Sequence, residues 1–331
     1  MRWRLQASVR KRFYDLVAYT YGMEILPNHT TGMNWGEVEN ALSELQPVAG
    51  GYSLATRGFA KLYSGRTVFV KIGTNEQTQS WARREIGAYR FLEQHEYASA
   101  PKLLAINASE TGFALESLVA EDGWDWSEAW NKPRLEATLA AMDSLASLSE
   151  ENGAEEFSEA IISEADGGWR PIVSSRSKQA LLRAMMTKAG SADVYRDLDF
   201  AEAAAKSDSY KFKSDLLVHN DLRGDNCSWN FAKRSVGMID WNWLQLGDRR
   251  IDLAAFLTVV HKSGFNVLHN YRSKLDADAL HWLAGMWFKN AITPIWPGGD
   301  PHLRTLQLEA GLVALELSKL VARTPSADGD N

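Results

Sequence analysis

The chain has 331 residues, with 42 acidic side chains against 36 basic ones and a formal net charge of -6. That balance excludes the broad basic surface through which a nucleic-acid binder displaces counterions. No run approaches the roughly 20 apolar residues of a membrane span, and the opening "MRWRLQASVRKRFYDLVAYTYGMEIL" lacks the uninterrupted apolar stretch of a secretory signal. A single cysteine, Cys227, rules out an intrachain disulfide and a cysteine-built metal site, and points to a reducing, cytoplasmic setting.

Residues 1–34 read as an N-terminal helical extension, punctuated by Pro27, Asn28 and Gly32, with Asn34 placed to cap the segment that begins at Trp35. The texture then changes over residues 35–118. "LQPVAGGYSLATRGFAKLYSGRTVFVKIG" is rich in β-branched and aromatic residues and predicts two or three antiparallel strands, with a hairpin turn at Ser64 to Arg66. "QSWARREIGAYRFLEQH" places Trp81, Ile86, Tyr89, Phe91 and Leu92 near helical spacing. "APKLLAINASETGFALESL" returns to strand texture, with a turn at Ser109 to Gly112. Strands, helix, strands make an α+β unit that ends near Leu118.

Residues 119–324 read as a larger, mainly helical unit, and 325–331 as a disordered tail. "NKPRLEATLAAMDSLASLSEE" begins with Asn131 as a cap and Pro133 in the first turn. Further helices are expected at "SKQALLRAMMTKAG", "DLDFAEAAAKS", "IDLAAFLTVVHKSG", "DADALHWLAGMWFKNAI" and "LRTLQLEAGLVALELSKLVART". The exception is "LLVHNDLRGDNCSWNFAKRSVGMIDWNW", two short apolar strands around a polar loop.

That loop carries the chemistry. If its strands pair as a hairpin, Asp221, Asn226 and Asp240 converge at one end. An amide and a carboxylate are hard oxygen donors suited to Mg²⁺, which takes its remaining ligands from water and phosphate. A carboxylate left free of metal, Asp221, can receive the proton of an attacking hydroxyl. The bland alternative is an Asx-rich turn with a hydrogen-bonding histidine. Upstream, Lys71 ends an alternating strand and Glu85 lies in the following helix, an arrangement that can fix an ammonium for phosphate or amount to a surface pair. Arg83 and Arg84 are competing partners for Glu85. Gly50, Gly51 and Ser53 form either a loop lying over phosphates or a tight hairpin.

Taken together, a strand lysine, a helix glutamate, His-x-Asp-x-x-x-x-Asn and a strand-end Asp resemble the kinase signature set. In its closest form this is the aminoglycoside phosphotransferase and choline kinase family, written H-G-D-x-x-x-x-N, then I-D-W or I-D-F, then G-D-P-x-x-D-L-A. Here the matching residues are His219-Asn220-Asp221, Asn226, Ile239-Asp240-Trp241 and Gly247-Asp248-Arg249-Arg250-Ile251-Asp252-Leu253-Ala254. The resemblance runs over roughly residues 48–257. It implies a two-lobed protein-kinase-like α+β fold, with a small antiparallel-sheet N-lobe and a larger helical C-lobe. It also implies ATP, or alternatively GTP, with Mg²⁺ and a small-molecule hydroxyl acceptor such as an amino sugar, sugar or amino alcohol.

By the same resemblance Asp221 is the catalytic base, and Asn226 and Asp240 are the metal ligands. Lys71 grips the nucleotide phosphates with Glu85 as its partner, and Glu116 and Leu118 meet the base at the hinge. His219, Asp248 and Asp252 brace the loops. The departures are Asn220 for the usual Gly, Arg223-Gly224-Asp225 for His-Pro-Gly, and Arg249 for Pro. Asp225 either adds negative charge near the metal or faces water. Two alternatives are a catalytically silent nucleotide-binding module and a protein kinase. The short path from Asp240 to the next helix leaves no room for a peptide-docking segment.

Thirteen tryptophans raise a separate question. Trp124, Trp126 and Trp130, interleaved with Glu121, Asp122, Asp125 and Glu128, suit either an amino sugar or quaternary ammonium held by charge and cation–π contact, or core packing at helical spacing. Trp243, Trp282 and Trp287 suit either a sugar-stacking wall or a filled core.

Overall fold

A computed structural model describes residues 33–48, 53–127, 129–159, 161–163 and 167–323. The expected extension before residue 33, the loop glycines Gly50 and Gly51, and the 325–331 tail lie outside the described residues.

Asn34 caps α1 (Trp35–Ala41) by accepting from the Gly36 N–H at 2.9 Å. A five-stranded antiparallel sheet comes next, built from β1 (Gln46–Pro47), β2 (Thr56–Lys61), β3 (Thr67–Ile72), β4 (Leu103–Ile106) and β5 (Gly112–Glu116) in the order β1-β2-β3-β5-β4. The β2–β3 hairpin turns at Ser64 to Arg66, as the sequence predicts, with Gly65 at φ +84 where a side chain would be strained. Alternation divides the sheet's two faces. Ala60, Val68, Val70, Ala105 and Ala114 form a small core on one face, closed by Val38 and Trp35 of α1. Lys71 stands on the opposite face with Phe69 and Phe59.

That opposite face is covered by α2 (Glu76–Gln94), which opens on a reciprocal capping box between Asn75 and Thr78. Its Ile86, Tyr89 and Leu92 pack with Phe113 and Leu115 into the main core, which continues through the second lobe. The sheet and α2 therefore form a small lobe seated on a larger helical one.

In the larger lobe β6 (Trp124–Asp125) precedes α3 (Lys132–Ser147), whose cap is Asn131 as expected. Helices α4 (Trp169–Val173), α5 (Arg176–Lys188), α6 (Ala192–Arg196) and α7 (Phe200–Ser209) lead to the polar-loop region. Four short strands lie there: β7 (Leu216–Val218), β8 (Cys227–Asn230), β9 (Ser235–Met238) and β10 (Gln245–Gly247). The chain then runs through α8 (Arg249–Lys262), α9 (Val267–Asn270), α10 (Ala277–Ala291) and α11 (His302–Ala322). Tight approaches in this lobe depend on missing side chains. A Cβ on Gly168 would lie 1.5 Å from the Gly285 carbonyl carbon, so α10 and the start of α4 meet backbone to backbone. No helix among the described residues is long and apolar enough to cross a membrane.

Candidate functional site

The strand pairing around the polar loop departs from the hairpin expectation. β7, which leads into His219, pairs with β10, while β9, which leads into Asp240, pairs with β8 and β8 with β6. A direct pairing of β7 with β9 would take from the segment 227–230 the longer of its two ladders. Instead its buried Cys227 and Trp229 side chains join the core while its backbone pairs with β6 and β9. Asp221, Asn226 and Asp240 still come together, because the loops that carry them leave two adjacent ribbons at the same end. The Ile239 N–H donates to the Asn226 carbonyl at 3.0 Å, tying the two loops at that point.

Two residues hold unusual backbone conformations that aim this cluster. Asn220 lies at φ 62 and Asp240 at φ 69, both in the left-handed region. Asn tolerates that region better than other side-chain-bearing residues do, which explains how it replaces the glycine of the family pattern. Its N–H donates to Asp252 Oδ1 at 2.8 Å and its amide Nδ2 to the Trp243 carbonyl at 3.0 Å, so the strained turn is held from two sides. At Asp240 the turn ends the strand and presents the carboxylate to Lys71.

His219 is wholly buried and braced. Its Nε2 pairs with the Ile239 carbonyl at 3.0 Å, and its Nδ1 accepts from the Asp221 N–H at 3.3 Å. Burial holds its pKa below the ordinary value, which fits the neutral ring that this pattern requires. Asp248 accepts from Tyr210 Oη and the Lys213 N–H, both at 2.9 Å, and caps α8 through the Arg250 N–H. Arg249, where the family pattern has Pro, turns outward to Asp143 at 2.7 Å.

Lys71 is the hub between the lobes. Its Nζ lies 2.6 Å from Glu85 Oε2 and 2.5 Å from Asp240 Oδ1. Arg84 does not compete for Glu85, because it reaches the Leu244 carbonyl at 3.1 Å. Burial opposes the charge on Lys71, but Asp240 and Glu85 more than offset it and hold its pKa up. Two carboxylates share one ammonium, and their fates diverge. Burial pushes Glu85, only 2% exposed, up to about 7 against the pull of Lys71. Burial also works on Asp240, yet Lys71 and Arg223 outweigh it and keep this carboxyl below its ordinary value.

Asp221 faces Arg223. The guanidinium Nη1 donates to both Asp221 oxygens, at 2.9 and 3.0 Å, while Nε and Nη2 hold Asp225 at 2.8 and 3.0 Å. Asp225 is therefore a partner of Arg223, rather than an added charge on a metal. Burial pushes the Asp221 carboxyl up to about 7, with Arg223 opposing. Asn226 donates its amide to the Asp221 carbonyl at 2.7 Å and to Asp221 Oδ2 at 3.3 Å, which leaves its side-chain oxygen as the acceptor end.

The donor set fits a hard divalent cation. Asn226 Oδ1 and the second Asp240 oxygen are hard ligands on facing loops, and Mg²⁺ needs only one or two protein donors when phosphates and waters complete its shell. No cluster of three or more His, Cys, Asp or Glu side chains suited to a metal occurs among the described residues.

Two cavities meet at Asp221 and Arg223. One, of 310 Å³, holds Ser53, Lys71 and Asp240 together with Arg57, Trp296 and Arg304. The other, of 570 Å³, opens into the helical lobe between α8, α10 and α11. A third, of 700 Å³, lies at the junction of the lobes beside Glu116, Ser117 and Leu118. There the Leu118 carbonyl already accepts from Trp126 Nε1 at 2.7 Å, and Ser117 Oγ donates to the Thr67 carbonyl at 3.0 Å.

The sequence signalled Arg223 only as a departure from a pattern, and Arg304 not at all. Arg304 projects from the first turns of α11 over the Trp296 ring at 5.8 Å, and Trp296 meets Trp81 of α2 edge to face at 6.3 Å. Gly298, at φ +79, brings the same loop so close that a Cβ would lie 2.7 Å from Leu54. This strap from the larger lobe to the smaller one links segments more than 200 positions apart, and no local pattern announces it.

The tryptophans separate. Trp126 and Trp130 both lie outside any helix, so the helical-spacing reading fails. Trp124 joins β6 beneath Lys233 at 5.6 Å, Trp126 goes to the lobe junction, and Trp130 reaches the 570 Å³ cavity with Arg134 stacked 4.3 Å over its ring. Trp282 is core, Trp287 lines the same cavity as Trp130, and Trp243 lines the cleft with Lys71.

Comparison with known proteins agrees with this layout. The family model described as the phosphotransferase enzyme family, APH, matches residues 44–285. No curated protein matches the chain. Among solved structures, an amicoumacin kinase in complex with AMP-PNP, Ca²⁺ and Ami is similar at TM-score 0.51 and 13% identity, covering 84% of this chain and 89% of that one. A Ralstonia eutropha JMP134 protein assigned by inference as an aminoglycoside phosphotransferase is similar at TM-score 0.50 and 13% identity, covering 86% and 98%. At such identities the likeness is one of fold: a small antiparallel-sheet lobe on a larger helical lobe.

Proposed function

The chain belongs to the phosphotransferase enzyme family, whose model spans residues 44–285, and on that premise we propose that it transfers the γ-phosphoryl group of ATP to a hydroxyl of a small molecule. It is a phosphotransferase with an alcohol group as acceptor. The finer reading rests on one observation above the others. Lys71 of the small lobe is held between Glu85 and Asp240, on the same cleft as Asp221, to whose carbonyl the Asn226 amide is bonded.

In this reading Lys71 neutralises the nucleotide phosphates, and Glu85 keeps its ammonium from collapsing wholly onto Asp240. Asn226 and Asp240 hold the divalent cation, which supplies charge neutralisation on the phosphates when bound. Asp221 orients the acceptor hydroxyl and receives its proton. A carboxyl raised by burial is a better proton acceptor than a solvated one near neutral pH. Arg223 keeps that carboxylate in one orientation through Nη1, which reaches both of its oxygens. Ser53 of the loop above the cleft, with Gly50 and Gly51 beside it in sequence, is assigned to the phosphates, and Glu116 and Leu118 to the base. With the Leu118 carbonyl engaged by Trp126, the Leu118 N–H is the group of that residue assigned to the base.

The segment between Asp240 and α8 supports a small acceptor over a peptide. It holds only one short helical turn and β10, and it packs into the lobe instead of forming a platform. The AMP-PNP and Ca²⁺ of the amicoumacin kinase complex are in keeping with an adenine nucleotide and a divalent cation here.

The test is Asp221→Asn. Transfer should fall by about 10²–10⁴-fold, while AMP-PNP affinity with Mg²⁺, measured by calorimetry, stays near that of the parent. Turnover close to the parent's would remove Asp221 from the base role. A parent chain that neither hydrolyses nor transfers labelled γ-phosphate of ATP or GTP would instead be a silent nucleotide-binding module.

A further inference from the structure

The 570 Å³ cavity beyond Asp221 has a chemistry of its own. Its volume is that of a drug-sized ligand site. Its walls are built from Trp130, Ile251, Leu283, Met286, Trp287 and Leu306. The charged groups along it are engaged by the protein itself. Asp252, 2% exposed, accepts the Asn220 N–H at 2.8 Å, and Asp225 is held by Arg223. Asp300 caps the His302 N–H at 2.8 Å, and Lys262 pairs with Glu309 at 2.7 Å. The neutral groups obey the same rule: Gln307 Oε1 accepts from Arg304 at 2.8 Å, and Ser263 donates to the Val260 carbonyl at 2.7 Å.

A polycationic acceptor would need carboxylates to spare near Asp221, where Asp221 and Asp225 share the Arg223 guanidinium and Asp252 is buried; Asp300, exposed and bonded to a backbone N–H, is the exception. A quaternary ammonium is held best by several aromatic faces together, yet Trp130 carries the Arg134 guanidinium 4.3 Å over its ring, which leaves Trp287 as the other tryptophan of this wall. The cation–π partners of Trp124 and Trp296 are likewise side chains of the protein, Lys233 and Arg304. The cavity rewards apolar and aromatic surface, and asks of its ligand only one hydroxyl near Asp221.

Resting on the phosphotransferase reading above, we propose that the acceptor is an uncharged hydroxyl compound with an aromatic or branched aliphatic body. The body lies between Trp287 and the α8–α10–α11 wall, and the hydroxyl meets Asp221. In the transfer, the acceptor oxygen forms a bond to the γ-phosphorus as the bond to the β–γ bridging oxygen breaks. The hydroxyl proton goes to Asp221, and ADP leaves with the bridging oxygen.

The experiment uses the full chain with ATP and Mg²⁺, reading ADP release and the mass of the phosphorylated product. One arm of acceptors is phenyl β-glucoside, 2-naphthyl β-glucoside and aryl alcohols, and the other is kanamycin and choline. The expected result is a kcat/KM for the aryl compounds at least about tenfold above that for kanamycin or choline, the scale on which apolar pockets discriminate. Ala255→Leu narrows the cavity and should lower kcat/KM for the naphthyl glucoside more than for the phenyl one. Trp287→Ala should lower both, with AMP-PNP affinity as the control for folding. Preference for kanamycin or choline overturns the inference and leaves the kinase reading intact. So does phosphorylation of neither arm while Asp221-dependent hydrolysis of ATP continues. Absence of any ATP turnover overturns the underlying reading, and this inference with it.

Discussion

Exchange of Glu85 for Gln tests the hub at Lys71 most directly, because the structure sets both the size and the sign of the effect. Glu85 is 2% exposed and accepts from Lys71 at 2.6 Å, while Lys71 also reaches Asp240 at 2.5 Å. Hydrogen bonds to charged groups span about 1.5–3 kcal/mol; Gln keeps such a bond to the ammonium but loses the opposing charge, which moves the contact from the upper to the lower end of that range. Gln should therefore forfeit about 1–1.5 kcal/mol of the restraint on Lys71. With Asp240 then taking a larger share of the ammonium, AMP-PNP affinity in Mg²⁺ should fall roughly five- to tenfold. The Lys71→Met background reverses the expectation. There Glu85 is a buried carboxyl that has lost the pull of its cation, so burial holds it in the protonated form and folding must supply the proton. Adding Glu85→Gln should leave nucleotide affinity within about twofold of Lys71→Met alone, as residues acting through one contact are non-additive. It should also raise Tm at neutral pH, because an amide, unlike the Glu85 carboxyl, takes up no proton on folding. Calorimetry and thermal melts on the four proteins of the cycle give both readouts. Equal losses in the two backgrounds, or a double variant that melts below Lys71→Met, would refute the claim that Glu85 acts through Lys71.

The same geometry supports three other expectations. Asp240→Asn should shift the Mg²⁺ dependence of ATP turnover to higher concentration, and chelation of divalent cations should abolish turnover in the parent until Mg²⁺ is restored. Gly298→Val places a side chain at φ +79 and against Leu54, at about 1–2 kcal/mol for the backbone alone. It should weaken AMP-PNP binding by loosening the strap, and Leu54→Ala should recover part of the loss. His281 is buried against Trp169 with its Nε2 on the Ala203 carbonyl at 3.1 Å, and burial holds its pKa below the ordinary value. The unfolded chain then binds more protons as pH falls through about 6.5. The contribution of His281 is full above that pH and is lost below it, so Tm plotted from about pH 7.5 to 5 should fall less steeply in His281→Gln. An unchanged slope would show that His281 is not among the groups titrating on unfolding.

Much of the fold was legible because it is written locally. Asn34 and Asn131 are caps by their own hydrogen-bonding chemistry, and each caps the helix directly after it. The alternation of Val68, Phe69, Val70 and Lys71 marks a strand with one outer and one inner face, and the structure uses it so. The spacing of Asp221, Asn226 and Asp240 reflects a loop whose residues meet whichever strands flank it. That is why their convergence survived an incorrect hairpin pairing.

What the sequence by itself determined was therefore the order of elements, the membership of the polar cluster around Asp221 and the chemistry available to it. Those depend on propensity, capping and residue type within short windows. Tertiary structure alone decided which strands pair, because the ladder partner of β7 is a segment on the far side of Asp240. It alone turned Arg223 from an unexplained departure into the group that holds Asp221, and brought Trp296 and Arg304 to the cleft. It also decided the fate of the tryptophans. Whether an aromatic ring is core, wall or shielded by a cation depends on which distant side chain arrives at its face, and Arg134 over Trp130 is set by packing rather than by spacing. The motif's resemblance pointed to a phosphotransferase, but the character of the cavity beyond Asp221 came only from the convergence of α8, which carries the end of the motif, with two helices distant from it.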